Sequence, residues 1–148
     1  MEALLVERDP LLRDQIKVAL QQFPEFTVTV GAGYAGINEL RSRPFDCVFL
    51  GVDPKQKDTV KLLHHLRSFD TTTELFVVTA PGNVKDMAVD KAKYAIHSFV
   101  QAPLALRELF GLLGRFVERR TERSNSPLRR APRGASAPAA QDAPTAAE

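Results

Sequence analysis

Two hydrophobic periods take turns along this chain. Ala3–Val6 is a continuous apolar run of the length of a buried strand. From Leu11 to Phe23 the apolar positions are Leu12, Ile16, Ala19, Leu20 and Phe23, the spacing of one helical face. Asp9 is placed to cap that helix, and Pro10 suits its first turn. Phe26–Val30 alternates like a half-covered strand, and Tyr34 to Arg41 reads as a short helix. Asp46–Leu50 is a third strand. Thr59 to Phe69 is a helix with Val60, Leu62, Leu63 and Leu66 inward. Leu75–Val78 is a fourth strand, Val84 to Tyr94 a weakly apolar helix, and Ser98–Val100 a fifth strand. Pro103 opens a last helix with Leu106, Leu109, Phe110, Leu113 and Phe116 on one stripe.

The pattern is (βα)₅. Such alternation implies a parallel sheet with helices on both faces, a three-layer α/β sandwich. Right-handed crossovers leave few topologies. The flavodoxin-like strand order 2-1-3-4-5 fits five strands and puts a crevice between the tips of strands 1 and 3. On the third tip stands Gly51, with Asp53 two places on.

Composition narrows the classes. The 148 residues are 44% hydrophobic and 26% charged, with a net charge of +2, too small to argue for nucleic acid. A single cysteine, Cys47, excludes an internal disulfide and a multi-cysteine zinc site, and reads as a small buried hydrophobe. His64, His65 and His97 lack zinc-site spacing and read as surface residues. No basic segment precedes a long apolar stretch, and no run approaches bilayer-spanning length, so a cytoplasmic protein is expected. Residues 124–148 contain no aromatic residue and one large apolar residue, Leu128, a composition expected to stay disordered. The division is therefore a folded domain over residues 1–120 and a basic, Ala/Pro-rich tail over 121–148. No output domain is expected after the last helix. Arg119, Arg120, Arg123, Arg129, Arg130 and Arg133 offer charge to an acidic partner, a membrane surface or nucleic acid. Without interleaved aromatics they do not read as a specific nucleic-acid surface, and a solubilising tail is the plainer reading.

"GAGYAG", Gly31 to Gly36, spells G-x-G-x-x-G between a strand and a helix, the pattern of a dinucleotide-binding turn. It follows the second strand rather than the first, and a ribose-binding acid would have to be Asp53. The plainer reading is a turn made by Gly31 and Gly33, with Gly36 allowing close helix–sheet approach. A small-ligand or nucleotide sensor using this loop stays open.

Over about residues 2–118 the chain resembles the receiver domain of two-component response regulators. "LLVERDPLLRDQIKVAL" resembles that family's first strand, acidic cluster and first helix. "GYAGINELRSRPFDCVFLGVD", "LFVVTA" and "FVQAP" resemble its second helix with third strand, its fourth strand and its fifth strand. The resemblance implies a Mg²⁺ ion on acids after strand 1, an aspartate phosphorylated at the tip of strand 3, and a hydroxyl and a lysine that contact the phosphate. Matched position by position, Glu7 takes the first acidic place, Arg8 the second, and Asp9 a third. The phosphoacceptor place falls on Gly51, the switch hydroxyl on Thr79, the lysine on Ala102, and the aromatic that reports the switch on Phe99.

The acceptor, one metal-binding acid and the lysine are thus missing, and Arg8 puts a cation where Mg²⁺ needs an oxygen ligand. Mg²⁺ binding is expected to be lost or weak, no other cofactor is implied, and the chain reads as a degenerate receiver rather than an enzyme. Arg8 is expected either to replace the metal by pairing with Glu7, Asp9 or Asp53, or to point to solvent. By resemblance, the surface of helix 4, strand 5 and helix 5 holds a signalling partner or a second copy, through Phe99, Val100, Leu104, Arg107 and Glu108. The expected role is a stand-alone bacterial signalling adaptor that binds protein without phosphorylation. The alternative is an active phosphorelay receiver using Asp53 or Glu7.

Overall fold

The computed structural model describes residues 1–125. The chain divides into two compact units, Met1–Leu109 and a second beginning at Phe110. The first unit contains β1 (Glu2–Val6), α1 (Pro10–Gln21), β2 (Thr27–Gly31), α2 (Gly33–Ser42), β3 (Cys47–Gly51), α3 (Lys57–Phe69), β4 (Glu74–Thr79), α4 (Pro81–Asp86), α5 (Ala88–Lys93) and β5 (Ile96–Gln101). The last helix, α6, runs Leu106–Asn125. All five strands pair in parallel, in the order β2-β1-β3-β4-β5, and the fold is flavodoxin-like α/β.

Local chemistry sets the first turn. The Asp9 carboxylate accepts the N–H groups of Leu11 and Leu12 at 3.0 and 3.3 Å, and Pro10 occupies a position where no N–H is needed. Strand alternation then sorts the core. Leu4, Val6, Val48, Leu50, Leu75 and Val77 join Ile37 of α2 and Leu62, Leu63 and Leu66 of α3 in one cluster. Ala3, Leu5, Phe49, Phe76 and Val78 face the other way, and the Phe49 and Phe76 rings stack with centroids 4.7 Å apart. Helix α1 lies against β1 and β2 and buries Ile16, Ala19 and Leu20. Cys47 is fully buried.

Three expectations need correction. The helix expected over Val84–Tyr94 is two short ones broken at Met87, whose side chain is their one fully buried anchor. The stripe on α6 is rotated: Leu106 and Phe110 are exposed, while Leu109, Leu113, Phe116 and Val117 are buried. That helix also begins three residues after Pro103 and continues five residues past the domain boundary expected at residue 120. Arginine and glutamate carry a helix well after apolar residues run out. The remainder of the expected tail, from residue 126, lies outside the described residues.

The glycine motif has a packing cause. A Cβ on Gly31 would sit 2.6 Å from the Gly36 Cα, and one on Gly36 would sit 2.8 Å from the Gly31 carbonyl carbon. Gly33 adopts φ +56°. The end of β2 and the start of α2 therefore touch backbone to backbone, and each glycine fills the space the other leaves.

Candidate functional site

At the carboxyl end of the sheet an open cleft of about 560 Å³ gathers Glu7, Arg8, Asp9, Gly51, Asp53, Thr79 and Ala102. The seven residues come from three loops and two strand tips, brought together by the β1–β3–β4–β5 order.

Glu7 and Gly51 form its floor. Val6 pairs with Leu50 in the parallel ladder, so the next step of the register sets Glu7 beside Gly51 on the same face. The Glu7 carboxylate lies over the glycine. A Cβ built on Gly51 would meet Glu7 Oε1 at 2.2 Å and Cδ at 2.7 Å. The other oxygen accepts the Asp9 N–H at 2.9 Å. Burial raises the Glu7 pKa above its ordinary value, more than the Asp9 and Arg8 N–H groups lower it, and the nearby Asp9 charge pushes the same way as burial.

Arg8 corrects both readings of the sequence. Its guanidinium pairs with Asp58, in the first turn of α3, rather than with Glu7, Asp9 or Asp53, and it is not left to solvent alone. Both partners are more than half exposed, at 53% and 67%. An acid in a helix's first turn is favoured by the helix dipole, which accounts for Asp58 at that place, but nothing in the sequence marked it as the partner of Arg8. Arg8 is the one cation among the residues lining the cleft.

Asp53 shapes its own loop. Its carboxylate accepts the Lys55 N–H at 2.9 Å, and its N–H donates to the Thr59 hydroxyl at 2.9 Å. Thr79 is buried; its hydroxyl accepts from the Asn83 amide at 3.1 Å, and its carbonyl accepts the Ala102 N–H at 2.9 Å. Asn83 was missed in the sequence, where only its place four residues after Thr79 marked it. Among the described residues, no three or more His, Cys, Asp or Glu side chains are grouped to hold a metal ion.

The residues expected to meet a partner divide. Arg107 and Glu108 are exposed, Leu104 is half-buried, and Phe99 is half-buried against the core cluster. Val100 is 5% exposed, because β5 alternation turns it inward beside Val78; it leaves the set of surface residues. His64 is exposed, while His65 and His97 are half-buried beside Asn38 and Ser98. No described helix is long and apolar enough to cross a membrane.

No protein-family model and no curated protein matches the sequence. Solved structures do match the fold. The receiver domain of the TMAO respiratory system response regulator TorR is 24% identical, with a TM-score of 0.65 over 80% of this chain and 97% of that one. The response regulatory domain of protein mrkE from Klebsiella pneumoniae is 17% identical, with a TM-score of 0.68 over 82% and 99%. A CheY-like response regulator receiver domain protein from Methanospirillum hungatei JF-1 is 16% identical, with a TM-score of 0.65 over 82% and 96%. At these identities the likeness is one of fold, and it spans nearly the whole of each receiver domain.

Proposed function

We propose that this chain is a receiver-like signalling protein of the two-component type that acts by contact with another protein and is not phosphorylated in its cleft. The receiver fold supports the signalling half of this reading. The Glu7 carboxylate lying over Gly51 carries the other half: the place of an acceptor side chain is occupied by a group anchored from the neighbouring strand. Its negative charge opposes an incoming phosphoryl group, and the cleft's one lining cation is turned to Asp58. Mg²⁺ is a poor fit: it wants oxygen ligands, whereas the cleft lining carries the Arg8 cation and the Glu7 carboxylate is already held over Gly51 by the Asp9 N–H. Asp53, the alternative acceptor, has its carboxylate tied into the loop through the Lys55 N–H. The glycine motif is better explained by backbone packing than by nucleotide binding. Partner contact is assigned to the surface around Leu104, Arg107 and Glu108, flanked by Phe99.

The test is intact-mass analysis after incubation with acetyl phosphate and Mg²⁺, and with an autophosphorylated histidine kinase domain, beside a receiver that carries the acceptor aspartate. The expected result is an unmodified mass here and a phosphoryl adduct on the control. A hydroxylamine-sensitive adduct on this chain would overturn the proposal.

A further inference from the structure

Strand β2 forms one edge of the sheet, and none of its five residues is buried. Thr27-Val28-Thr29-Val30-Gly31 has four β-branched residues in succession, with no charge and no proline. Its register with β1 runs through five pairs without a bulge, whereas the β5 edge has a shift between Leu75 and Phe76. Edges are ordinarily blunted by lysine, proline or a bulge, because unpaired main-chain groups recruit another strand. This edge has none of these.

Its geometry selects the partner. The Thr27 N–H donates to the Met1 carbonyl at 2.8 Å, so the main chain of Thr27, Thr29 and Gly31 faces β1. Alternation turns the N–H and C=O of Val28 and Val30 outward, evenly about Thr29. An antiparallel copy related by a two-fold axis at Thr29 sets Val28 opposite Val30 of the second copy, and Val30 opposite its Val28. Both are hydrogen-bonded pairs, and Thr29 meets Thr29 of the second copy as a non-hydrogen-bonded pair. The segment is nearly palindromic about that axis. Arg43 reaches this strand, donating to the Thr29 hydroxyl at 2.7 Å, and its charge is paired with Glu2 at 2.9 Å.

A second observation points to the same edge. Seven large apolar side chains are exposed among the described residues, and Leu11, Val18 and Val30 lie on α1 and β2, whereas on α2 the Tyr34 ring is turned to His65. Both helices lie against β2. The same two-fold brings α1 towards α1 of the second copy on one face and α2 towards its counterpart on the other.

We infer that the β2 edge is a homodimer interface, joining two sheets antiparallel through Val28 and Val30. This surface is separate from the cleft, so its fate does not bear on the phosphorylation test. Sedimentation equilibrium on the full chain is expected to show a concentration-dependent dimer, weakened about tenfold or more by Val30→Lys, which puts a charge into an apolar pair. Val30 is 42% exposed, so the variant is expected to fold. A second arm uses Thr29→Cys: opposed non-hydrogen-bonded positions lie about 4.5–5.5 Å apart at Cβ, near disulfide geometry. Under oxidation it is expected to form a covalent dimer much faster than Thr72→Cys, an exposed position far from β2 in the chain; the native Cys47 is fully buried. A monomer throughout the concentration range, a dimer indifferent to Val30→Lys, or equal cross-linking of the two cysteine variants would overturn the inference.

Discussion

Replacing Gly51 by alanine tests the floor of the cleft directly. The new Cβ would fall 2.2 Å from Glu7 Oε1, so the carboxylate must swing out, and its bond to the Asp9 N–H at 2.9 Å is lost. A charge-assisted bond contributes about 1.5–3 kcal/mol at best, and this one, partly open to water, about 1–2 kcal/mol. Alanine returns about 0.4–1 kcal/mol by restricting the unfolded chain, since Gly51 does not have the positive φ seen at Gly33. The net cost is about 0–1.5 kcal/mol, a fall in Tm of up to about 6 °C for a domain of this size. In a Glu7→Ala background the obstruction is gone, and the same substitution should be neutral or stabilise by up to about 1 kcal/mol. Urea unfolding of the four proteins closes the double-mutant cycle, with a coupling of about 1–2 kcal/mol. Equal costs of Gly51→Ala in both backgrounds would refute the reasoning, because they would mean that Glu7 does not occupy the glycine's side-chain space.

The pH dependence should separate two carboxyls of opposite sign. Glu7 has a raised folded pKa, so its contribution to stability is fully present below its ordinary value of 4.5 and is lost as pH rises through the folded value. Thermal scans should therefore show the native chain losing ground to Glu7→Gln as pH rises over that range. Asp70 is the reverse: burial alone would raise its pKa, but the Thr73 hydroxyl, the Thr73 and Thr72 N–H groups and the Arg67 charge together hold it below 3.8. Its contribution is present above 3.8 and lost as pH falls through the folded value, so the advantage over Asp70→Asn should shrink only in acid. Gly36→Ala drives a Cβ to within 2.8 Å of backbone that cannot rotate away, and should cost about 1–3 kcal/mol in chemical unfolding, with no effect on the Glu7–Gly51 coupling.

Periodicity carried most of the fold. The five strands and their order follow from apolar runs and crossover handedness, because burial on both faces leaves an unmistakable run such as Cys47–Leu50. It was weakest where burial is thin: α4 and α5 bury only the Met87 that separates them, so no stripe revealed the break. It was ambiguous on α6, where Leu106, Phe110 and Val117 compete for the stripe and a fraction of a turn of rotation changes which are inside. The cleft residues were legible by position, but their partners were not. Arg8 had two flanking acids, Glu7 and Asp9, and Asp53 at the third strand tip, but the acid it reaches is Asp58, 50 residues away.

The glycine at the tip of β3 and the glutamate after β1 are one feature rather than two. The parallel register fixes them side by side, and the cap Asp9 fixes the glutamate's orientation by offering its N–H. With any side chain at position 51, Glu7 would have to face outward into the cleft, where its full charge could serve a cation. With glycine there it folds down, is partly desolvated, and holds its proton more tightly. Glycine at position 51 therefore also sets how the neighbouring acid lies on the cleft floor. It follows that Gly51→Asp would set the new side chain and Glu7 in contention for one space, with two carboxylates facing each other at short range while Arg8 stays paired with Asp58.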